Sequence, residues 1–174
     1  MIADEKSPTR ISHRSFATSR SEMRISMEII KGGVTAAKGF CAAGLNAGIK
    51  NNEKKDMAMV YSEKPCVTAG TFTTNKVFAA PVKWDKDIVA NSPFAQAVVV
   101  NSGVANACTG KEGDDACAAE AKAVSEALQV PESAVLVAST GVIGAQLPMD
   151  KICAGIKELP KKLGSSLEHG TLAA

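Results

Sequence analysis

Residues 134–144 read AVLVASTGVIG, and this stretch decides how the rest of the chain is interpreted. The apolar and mostly β-branched run Ala134–Ala138 is typical of a buried strand. A loop with two glycines and a threonine is expected to follow it, and Pro148 then begins a helical pattern. Proteins of the α/β class often place chemistry in loops at the carboxyl ends of buried strands, so residues 139–144 are the first candidate site.

Thr140 and Gly141 carry the candidate chemistry of this loop. Glycine lets a ligand approach the backbone closely and reach its N–H group, and the neighbouring threonine adds a hydroxyl donor. Two such donors together could hold a developing negative charge, as an oxyanion hole does. A turn followed by a helix cap uses the same residue types and is the commoner reason for them, so the local pattern leaves both interpretations open. Neither glycine-rich phosphate-binding motif is present.

Several other segments read as extended chain. Asp56–Tyr61 is nearly all apolar and predicts a strand buried on both faces. Cys66–Thr74 alternates in its side chains and is expected to pair with Asp56–Tyr61 as a hairpin. Gln96–Asn101 predicts a strong buried strand that breaks at Ser102-Gly103, and Ala80–Trp84 predicts another extended piece.

Helical periodicity appears between and after these strands. Asp114–Gln129 is the clearest helix, with Asp114 as its expected cap and Pro131 beyond its end. Lys86–Ala90 predicts a short helix. A further helix starts at Pro148, stops at Pro160 and presents one apolar face of Met149, Ile152, Ile156 and Leu159. Strands alternating with helices predict an α/β or α+β architecture around a mixed sheet.

Composition and charge exclude several classes of protein. The 174 residues are 45% apolar and 22% charged, which is typical of a globular domain with its own core. Aromatic residues make up only 4%, so stacking surfaces for single-stranded nucleic acid are essentially absent. The net charge of +2 lies entirely in residues 1–26, and the remainder is balanced. We therefore expect neither a nucleic-acid partner nor a membrane surface, and no segment is apolar enough to span a bilayer.

The five cysteines do not form a recognisable framework. Their number is odd, and no two have C-x-x-C spacing, which argues against disulfides and a zinc site. A nucleophilic cysteine would need a histidine, and the only candidates are His13 and His169 in peripheral segments. We therefore expect buried thiols in a reducing compartment and no metal.

Residues 1–26 differ from the rest of the chain. They are rich in Ser and Arg and lack a secretory hydrophobic region, whereas Met27 opens a more protein-like sequence. We interpret 1–26 as a disordered or leader-like extension and 27–174 as the α/β domain. Acidic residues are unusual in mitochondrial leaders, so the expected location is the cytoplasm; a transit peptide would instead direct the protein to the mitochondrial matrix.

Five phrases in order connect the sequence to a known family. The chain resembles the ornithine acetyltransferases, also called glutamate N-acetyltransferases, of arginine biosynthesis, over residues 32 to about 160. The phrases are GGVTAAKGF at Gly32–Phe40, AGTFTTN at Ala69–Asn75, AAPV at Ala79–Val82, VNSGVANACTG at Val100–Gly110 and ASTGVIG at Ala138–Gly144.

The resemblance implies a mechanism and an assembly. Members of the family cleave themselves before a threonine, and the α and β chains produced stay together. The new amino-terminal Thr of β is the nucleophile and takes an acetyl group from N-acetylornithine to glutamate through an acetyl-threonine intermediate. The family's oxyanion hole is a Thr-Gly pair that corresponds to Thr140 and Gly141. The resemblance also implies two α and two β chains and no cofactor, with acetyl-CoA as an additional substrate in some members.

Two departures from the family pattern stand out. Val104 occupies a position where members usually carry Asn, within the loop Asn101–Asn106. The asparagine side chains of this loop are expected mainly to satisfy a tight turn. The chain also ends at Ala174, before the family's cleavage point, so we expect the amino-terminal part of an α chain, inactive without β. The open alternatives are a related self-processing aminopeptidase and a non-catalytic metabolite-binding or structural subunit.

Overall fold

The computed structural model describes residues 29–92 and 94–173. The interpretation of 1–26 as an extension lies outside these residues. The strands are β1 (Phe40–Leu45), β2 (Met57–Cys66), β3 (Ala95–Val104) and β4 (Val135–Val142). The helices are α1 (Ala80–Asn91), α2 (Gly110–Leu128), α3 (Met149–Glu158) and α4 (Leu167–Ala173), and short 3₁₀ turns occupy Gly33–Ala36, Glu132–Ala134 and Pro160–Lys162.

The four strands form one mixed sheet in the order β1-β2-β3-β4. The pairs β1–β2 and β2–β3 are antiparallel. The pair β3–β4 is parallel, and a crossover that contains α2 joins its two strands. The predicted α/β or α+β class with a mixed sheet is confirmed. Because β3 and β4 run in the same direction, their carboxyl ends meet at one edge of the sheet.

One face of the sheet carries the core. Met59, Val99 and Val137 lie side by side across three strands and are fully buried. Helices α2 and α3 cover them with side chains that include Val124 and Ile152. Full burial of an aliphatic side chain contributes roughly 1.5–3 kcal/mol, so this layer is the main source of stability. The apolar face predicted for α3 is part of it, with Ile152, Ile156 and Leu159 fully buried.

The second face of the sheet is apolar but only half-buried. Val60, Val98 and Leu136 form a row across it, each with intermediate exposure. Helix α4 packs over the β1 end of this face, where the Leu172 backbone fills the space beside Gly44. None of the helices in the described part of the chain is long and apolar enough to cross a membrane.

The predicted hairpin between Asp56–Tyr61 and Cys66–Thr74 is wrong. Strand β2 runs to Cys66, and residues 67–74 lie outside the sheet, with Val67 84% exposed. Strand β2 pairs instead with β3 and with β1, whose sequence FCAAGL has too few large apolar residues to predict a strand. Its small side chains are useful here because they let α4 and the Gly164 backbone approach closely.

Two helix starts also differ from the prediction. Ala80–Trp84 is not extended but forms the first turns of α1, which also includes Lys86–Ala90. Pro81 sits in the first turn, where its missing N–H would have no helical partner in any case. Helix α2 begins at Gly110, so Asp114 lies inside the helix and pairs with Lys83 at 2.6 Å instead of capping.

Candidate active site at the carboxyl ends of β3 and β4

Strand β4 continues through residues for which the sequence predicts a loop. The loop prediction for Ser139–Val142 is therefore wrong, as is the predicted break of β3 at Ser102-Gly103, because each strand supplies backbone partners for the other. The loop proper begins at Ile143. The matched pairs are Asn101 with Ser139, Ser102 with Thr140, Gly103 with Gly141 and Val104 with Val142.

Glycine is needed in both strands at this point. Gly103 and Gly141 have φ of +125° and +134°, a conformation that favours residues without a Cβ. A Cβ on Gly141 would fall on the carbonyl group of Gly103. The close approach that Gly141 permits is therefore the approach of the neighbouring backbone, and the pairing fixes the position of Thr140 and Gly141 relative to β3.

The outer edge of β4 presents backbone groups away from β3. Near its start, this edge is covered by α1, where Trp84 Nε1 donates to the Val135 carbonyl at 2.9 Å and the Val137 amide donates to Asp85 at 3.0 Å. Backbone groups of successive strand residues point to opposite edges, so the alternation from Val137 places the Gly141 amide on the outer edge too. Beyond Val137, α1 no longer supplies a hydrogen bond in the described structure. The Gly141 amide is thus a donor on an edge without a neighbouring strand.

A cleft of about 290 Å³ opens beside Thr140 on the half-buried face of the sheet. Thr140 itself is exposed. Lys50 and Lys55 line the cleft, and its one carboxylate, that of Asp56, is engaged by backbone amides. The cleft therefore favours a negatively charged or electron-rich ligand group. The other lining residues are Met57, Ala58, Val100, Asn101, Ser102, Leu172 and Ala173.

Asn101 and Asn106 both serve the fold, although residues 101–104 belong to β3 and not to the expected tight turn. Asn101 Nδ2 donates to the Val104 carbonyl at 2.9 Å, and Asn106 Nδ2 donates to the Gly113 carbonyl at 2.9 Å. Thr109 completes this network by donating to Asn106 Oδ1 at 2.6 Å. Both asparagines are fully buried, so they are not ligand contacts in this arrangement. The backbone carbonyl of Val104 serves this network, and its side chain packs against the core.

Behind the strands lie buried titratable groups. Burial raises the pKa of Glu120 to about 8, and neither of its carboxylate oxygens has a hydrogen-bond partner in the described structure. Burial raises the pKa of Asp85 to about 6 despite the opposing Val137 hydrogen bond. Burial, with smaller contributions from nearby carboxylates, raises the pKa of Cys117 to about 12, so this thiol is a poor nucleophile.

The described residues form neither a metal-binding site nor a cysteine–histidine catalytic pair. All five cysteines are free, and no group of three side chains there could hold a metal ion. His169 contacts the Ser166 hydroxyl at 2.6 Å, and His13 lies outside the described residues.

A larger cavity of about 530 Å³ next to Phe78 and Trp84 is lined by neither Thr140 nor Gly141. The smaller cleft is the one that Thr140 lines.

Sequence reasoning missed Asp56 as a residue of this region. It was placed only at the start of a strand, whereas its carboxylate is 2% exposed and binds three backbone amides of the preceding loop. The available signal was an acidic residue between Lys55 and an apolar run, a position where a solvated side chain is the usual interpretation. The loop that folds back onto Asp56 could not be read from local sequence.

Two solved structures are similar to this fold. The arginine biosynthesis bifunctional protein ArgJ of Bacillus halodurans superposes with a TM-score of 0.77 at 43% identity, over 82% of this chain and 73% of that one. The ornithine acetyltransferase of Mycobacterium tuberculosis, crystallised with ornithine, gives a TM-score of 0.79 at 44% identity, over 82% of this chain and 77% of that one.

Sequence relatives agree with the structural ones. The arginine biosynthesis bifunctional protein ArgJ of Gloeobacter violaceus is 48% identical over 84% of this chain, and that of Symbiobacterium thermophilum is 50% identical over 85%. The chain spans only 36–37% of the length of these curated relatives. The ArgJ family model matches residues 41–174, which include both strands of the candidate site. The chain therefore belongs to the ArgJ family.

Proposed function

We propose that this chain is part of an acetyltransferase of arginine biosynthesis that moves an acetyl group from N-acetylornithine to glutamate, and that it supplies the oxyanion hole. The observation that supports the proposal is that Thr140 and Gly141 pair with Ser102 and Gly103 at the end of β4, which is an edge strand of the described sheet. Support for the substrate class comes from the relatives, which include an ornithine acetyltransferase crystallised with ornithine.

In the proposed reaction, the nucleophile is the amino-terminal Thr of a companion β chain. Its own amine takes the hydroxyl proton as the oxygen attacks the acetyl carbonyl of N-acetylornithine. The carbonyl oxygen becomes an oxyanion that accepts hydrogen bonds from Thr140 and Gly141. Collapse of this intermediate breaks the C–N bond, ornithine leaves with the proton on its amine, and an acetyl-threonine ester remains. The amine of glutamate then attacks the ester and forms a second oxyanion, which the same two donors hold. Its collapse breaks the C–O bond to threonine, the proton lost by the glutamate amine passes through the β-chain amine to the threonine oxygen, and acetylglutamate leaves.

The geometry suits this task because the donors need little reorganisation. An oxyanion hole lowers the barrier when its donors are already oriented toward the developing charge. Gly141 is held by its pairing with Gly103, so its amide has a defined direction. Lys50 and Lys55 beside the same cleft would attract the carboxylates of N-acetylornithine and glutamate.

The proposed assembly is two α and two β chains, with this chain as the amino-terminal part of α. Its half-buried apolar face and the outer edge of β4 provide surface for the rest of the enzyme. The nucleophile and most substrate contacts would come from that remainder. No cofactor is required by this mechanism, and acetyl-CoA could serve as a second acetyl donor.

The test begins with the full-length protein. Mass spectrometry of the purified protein is expected to find a second chain that begins with Thr. The complex should then transfer acetyl from N-acetylornithine to glutamate with ping-pong kinetics. An amino-acid amide substrate tests the aminopeptidase alternative in the same preparation. Hydrolysis of that amide without acetyl transfer, or a single uncleaved chain without either activity, would overturn the proposal.

A further inference from the structure

Asp56 connects two parts of the structure that meet at the candidate site. Its carboxylate accepts hydrogen bonds from the backbone amides of Ala47, Ile49 and Lys50 at 2.6, 2.7 and 3.0 Å. It is 2% exposed and begins the approach to β2. Bonds to an ionised acceptor are about twice as strong as neutral ones, so this carboxylate is the main organiser of the loop at residues 46–50.

The loop that Asp56 holds packs against Gly103. Ile49 Cγ2 and Lys50 Cγ lie 3.0 and 3.1 Å from the position that a Cβ on Gly103 would take. Gly103 is the ladder partner of Gly141. The loop therefore supports the backbone of β3 directly opposite the residue whose amide is one of the two proposed donors.

The backbone of Asp56 also contacts the paired ends of β3 and β4, one residue pair before Gly103 and Gly141. Its carbonyl accepts a hydrogen bond from the Ser102 amide at 2.8 Å, and Ser102 is the ladder partner of Thr140. Side chain and backbone of one residue thus act on two successive rungs of the β3–β4 ladder. These rungs carry the Thr140 hydroxyl and the Gly141 amide.

We propose that Asp56 is a positioning residue for the Thr140–Gly141 corner, holding the loop at residues 46–50 against β3 so that both donors face the reacting carbonyl. The inference rests on the proposed function, which gives Thr140 and Gly141 their role as hydrogen-bond donors. Asp56 does not touch substrate in this role. A displacement of about 1 Å at a reacting centre typically reduces the rate by about 10²-fold, so loosening of the loop should appear in turnover.

The first variant is Asp56→Asn in the full-length protein. It keeps the shape of the side chain but replaces one acceptor oxygen with an NH₂ group that faces backbone amides. We expect kcat for acetyl transfer to fall by at least about tenfold, and by a larger factor than the rise in KM that displacement of Lys50 would cause. Asp56→Glu retains the charge and should recover part of kcat; it also serves as the second variant if Asp56→Asn is too unstable to purify.

Asp85→Asn is the matched control. Asp85 also accepts a backbone amide of this sheet, that of Val137 on β4 at 3.0 Å, but at the end of the strand remote from Thr140. We expect kcat of Asp85→Asn to stay within about twofold of the wild type, whatever its melting temperature. An equal loss of kcat in both variants would assign Asp56 a general structural role and overturn the inference.

A double-mutant cycle with Thr140→Ala separates the two roles of Asp56 further. If Asp56 acts through the corner, Asp56→Asn should cost much less kcat in the Thr140→Ala background than in the wild type. Independent, multiplicative losses would contradict the proposal. Hydrogen exchange supplies a readout that needs no activity. The Ser102 and Ala105 amides, which donate to the Asp56 and Val142 carbonyls, should exchange faster in Asp56→Asn, and unchanged exchange would also overturn the proposal. An inactive wild type with faster exchange in the variant would count against the proposed function and not against this linkage.

Discussion

The backbone of Gly103 occupies the space that a side chain on Gly141 would take, across two parallel strands. Each has a positive φ, and the ideal Cβ of Gly141 would coincide with the carbonyl group of Gly103. A strand residue normally directs its side chain away from the sheet plane. Here the positive φ of Gly141 turns that direction toward the backbone of Gly103, so the ladder can reach Val142 only if position 141 lacks a side chain.

Gly141→Ala should therefore disrupt the end of β4. The added methyl group meets backbone, which cannot rotate away, and the φ of +134° is strained for alanine as well. We expect a loss of stability above about 3 kcal/mol together with loss of acetyl transfer. Urea unfolding of the full-length protein measures the first effect.

Gly144→Ala is the control for this prediction. Gly144 also has a positive φ, +84°, but no atom lies within 4 Å of its ideal Cβ. Only backbone strain of roughly 1–2 kcal/mol should result. If the two variants were equally stable, the close approach of Gly103 would have no energetic importance.

Thr140→Ala tests the hydroxyl donor. Thr140 is exposed and lines the cleft, so removal of its side chain leaves the core intact. Loss of one oxyanion donor typically lowers kcat on the order of 10²–10³-fold, and we expect that loss with a melting temperature within a few degrees of the wild type. Turnover of N-acetylornithine and thermal unfolding are measured side by side.

Thr140→Ser provides the matched comparison because it keeps the hydroxyl and removes only a methyl group. It should retain most of the activity that Thr140→Ala loses. Unchanged turnover in Thr140→Ala would remove this residue from the mechanism.

Glu120 should make stability fall as pH rises. Its pKa in the folded protein is about 8, against an ordinary value of 4.5, so the folded state keeps a proton that the unfolded state releases. The free energy of unfolding then decreases by about 1.4 kcal/mol per pH unit between these values. Asp85 has the same sign but contributes only up to about pH 6, which leaves the range from pH 6 to 8 to Glu120.

Glu120→Gln removes the titrating group and should flatten this part of the profile. We expect the wild type to lose about 2–3 kcal/mol from pH 6 to 8 and the variant to lose much less. Glu126→Gln on the exposed side of the same helix should keep the wild-type slope. A wild-type profile that is flat over this range would show that Glu120 finds a partner in the complete enzyme.

The cysteines should differ widely in reactivity. Cys108 is exposed, whereas Cys117 is fully buried and its pKa is raised to about 12, mainly by burial. Iodoacetamide at pH 8 is expected to modify Cys108 in the native protein and Cys117 only after unfolding. Peptide mass spectrometry measures both sites in one sample, and early modification of Cys117 would contradict the buried placement.

Local sequence predicted those elements that large apolar residues and prolines define. The buried strands at Gln96–Asn101 and Ala134–Ala138 and the apolar face of α3 are within this group. Strand β1 was missed because Ala, Gly and Cys give no clear period, and its pairing with β2 depends on distant contacts. Residues 67–74 have high β-propensity but no place in the sheet, since β1 and β3 already occupy both sides of β2.

The candidate site could be located from sequence but not described. The pattern placed Thr140 and Gly141 at the end of a buried strand, and that neighbourhood is present in the structure. It did not show that Gly141 pairs with Gly103, because propensity treats glycine as a strand breaker. Nor did it show Asp56, whose partners Ala47 and Lys50 come from a loop that turns back before β2.

The parallel strands β3 and β4 and the helix between them have a consequence for how the enzyme matures. Both donors and the glycines that hold them come from this contiguous βαβ unit. Their pairing joins segments that α2 separates, so it is not local along the chain, but both paired segments lie within this unit. In the proposed reaction, the two groups that would hold the acyl oxygen therefore require no residue of the β chain, and self-cleavage would contribute the free amine and the hydroxyl of its first threonine.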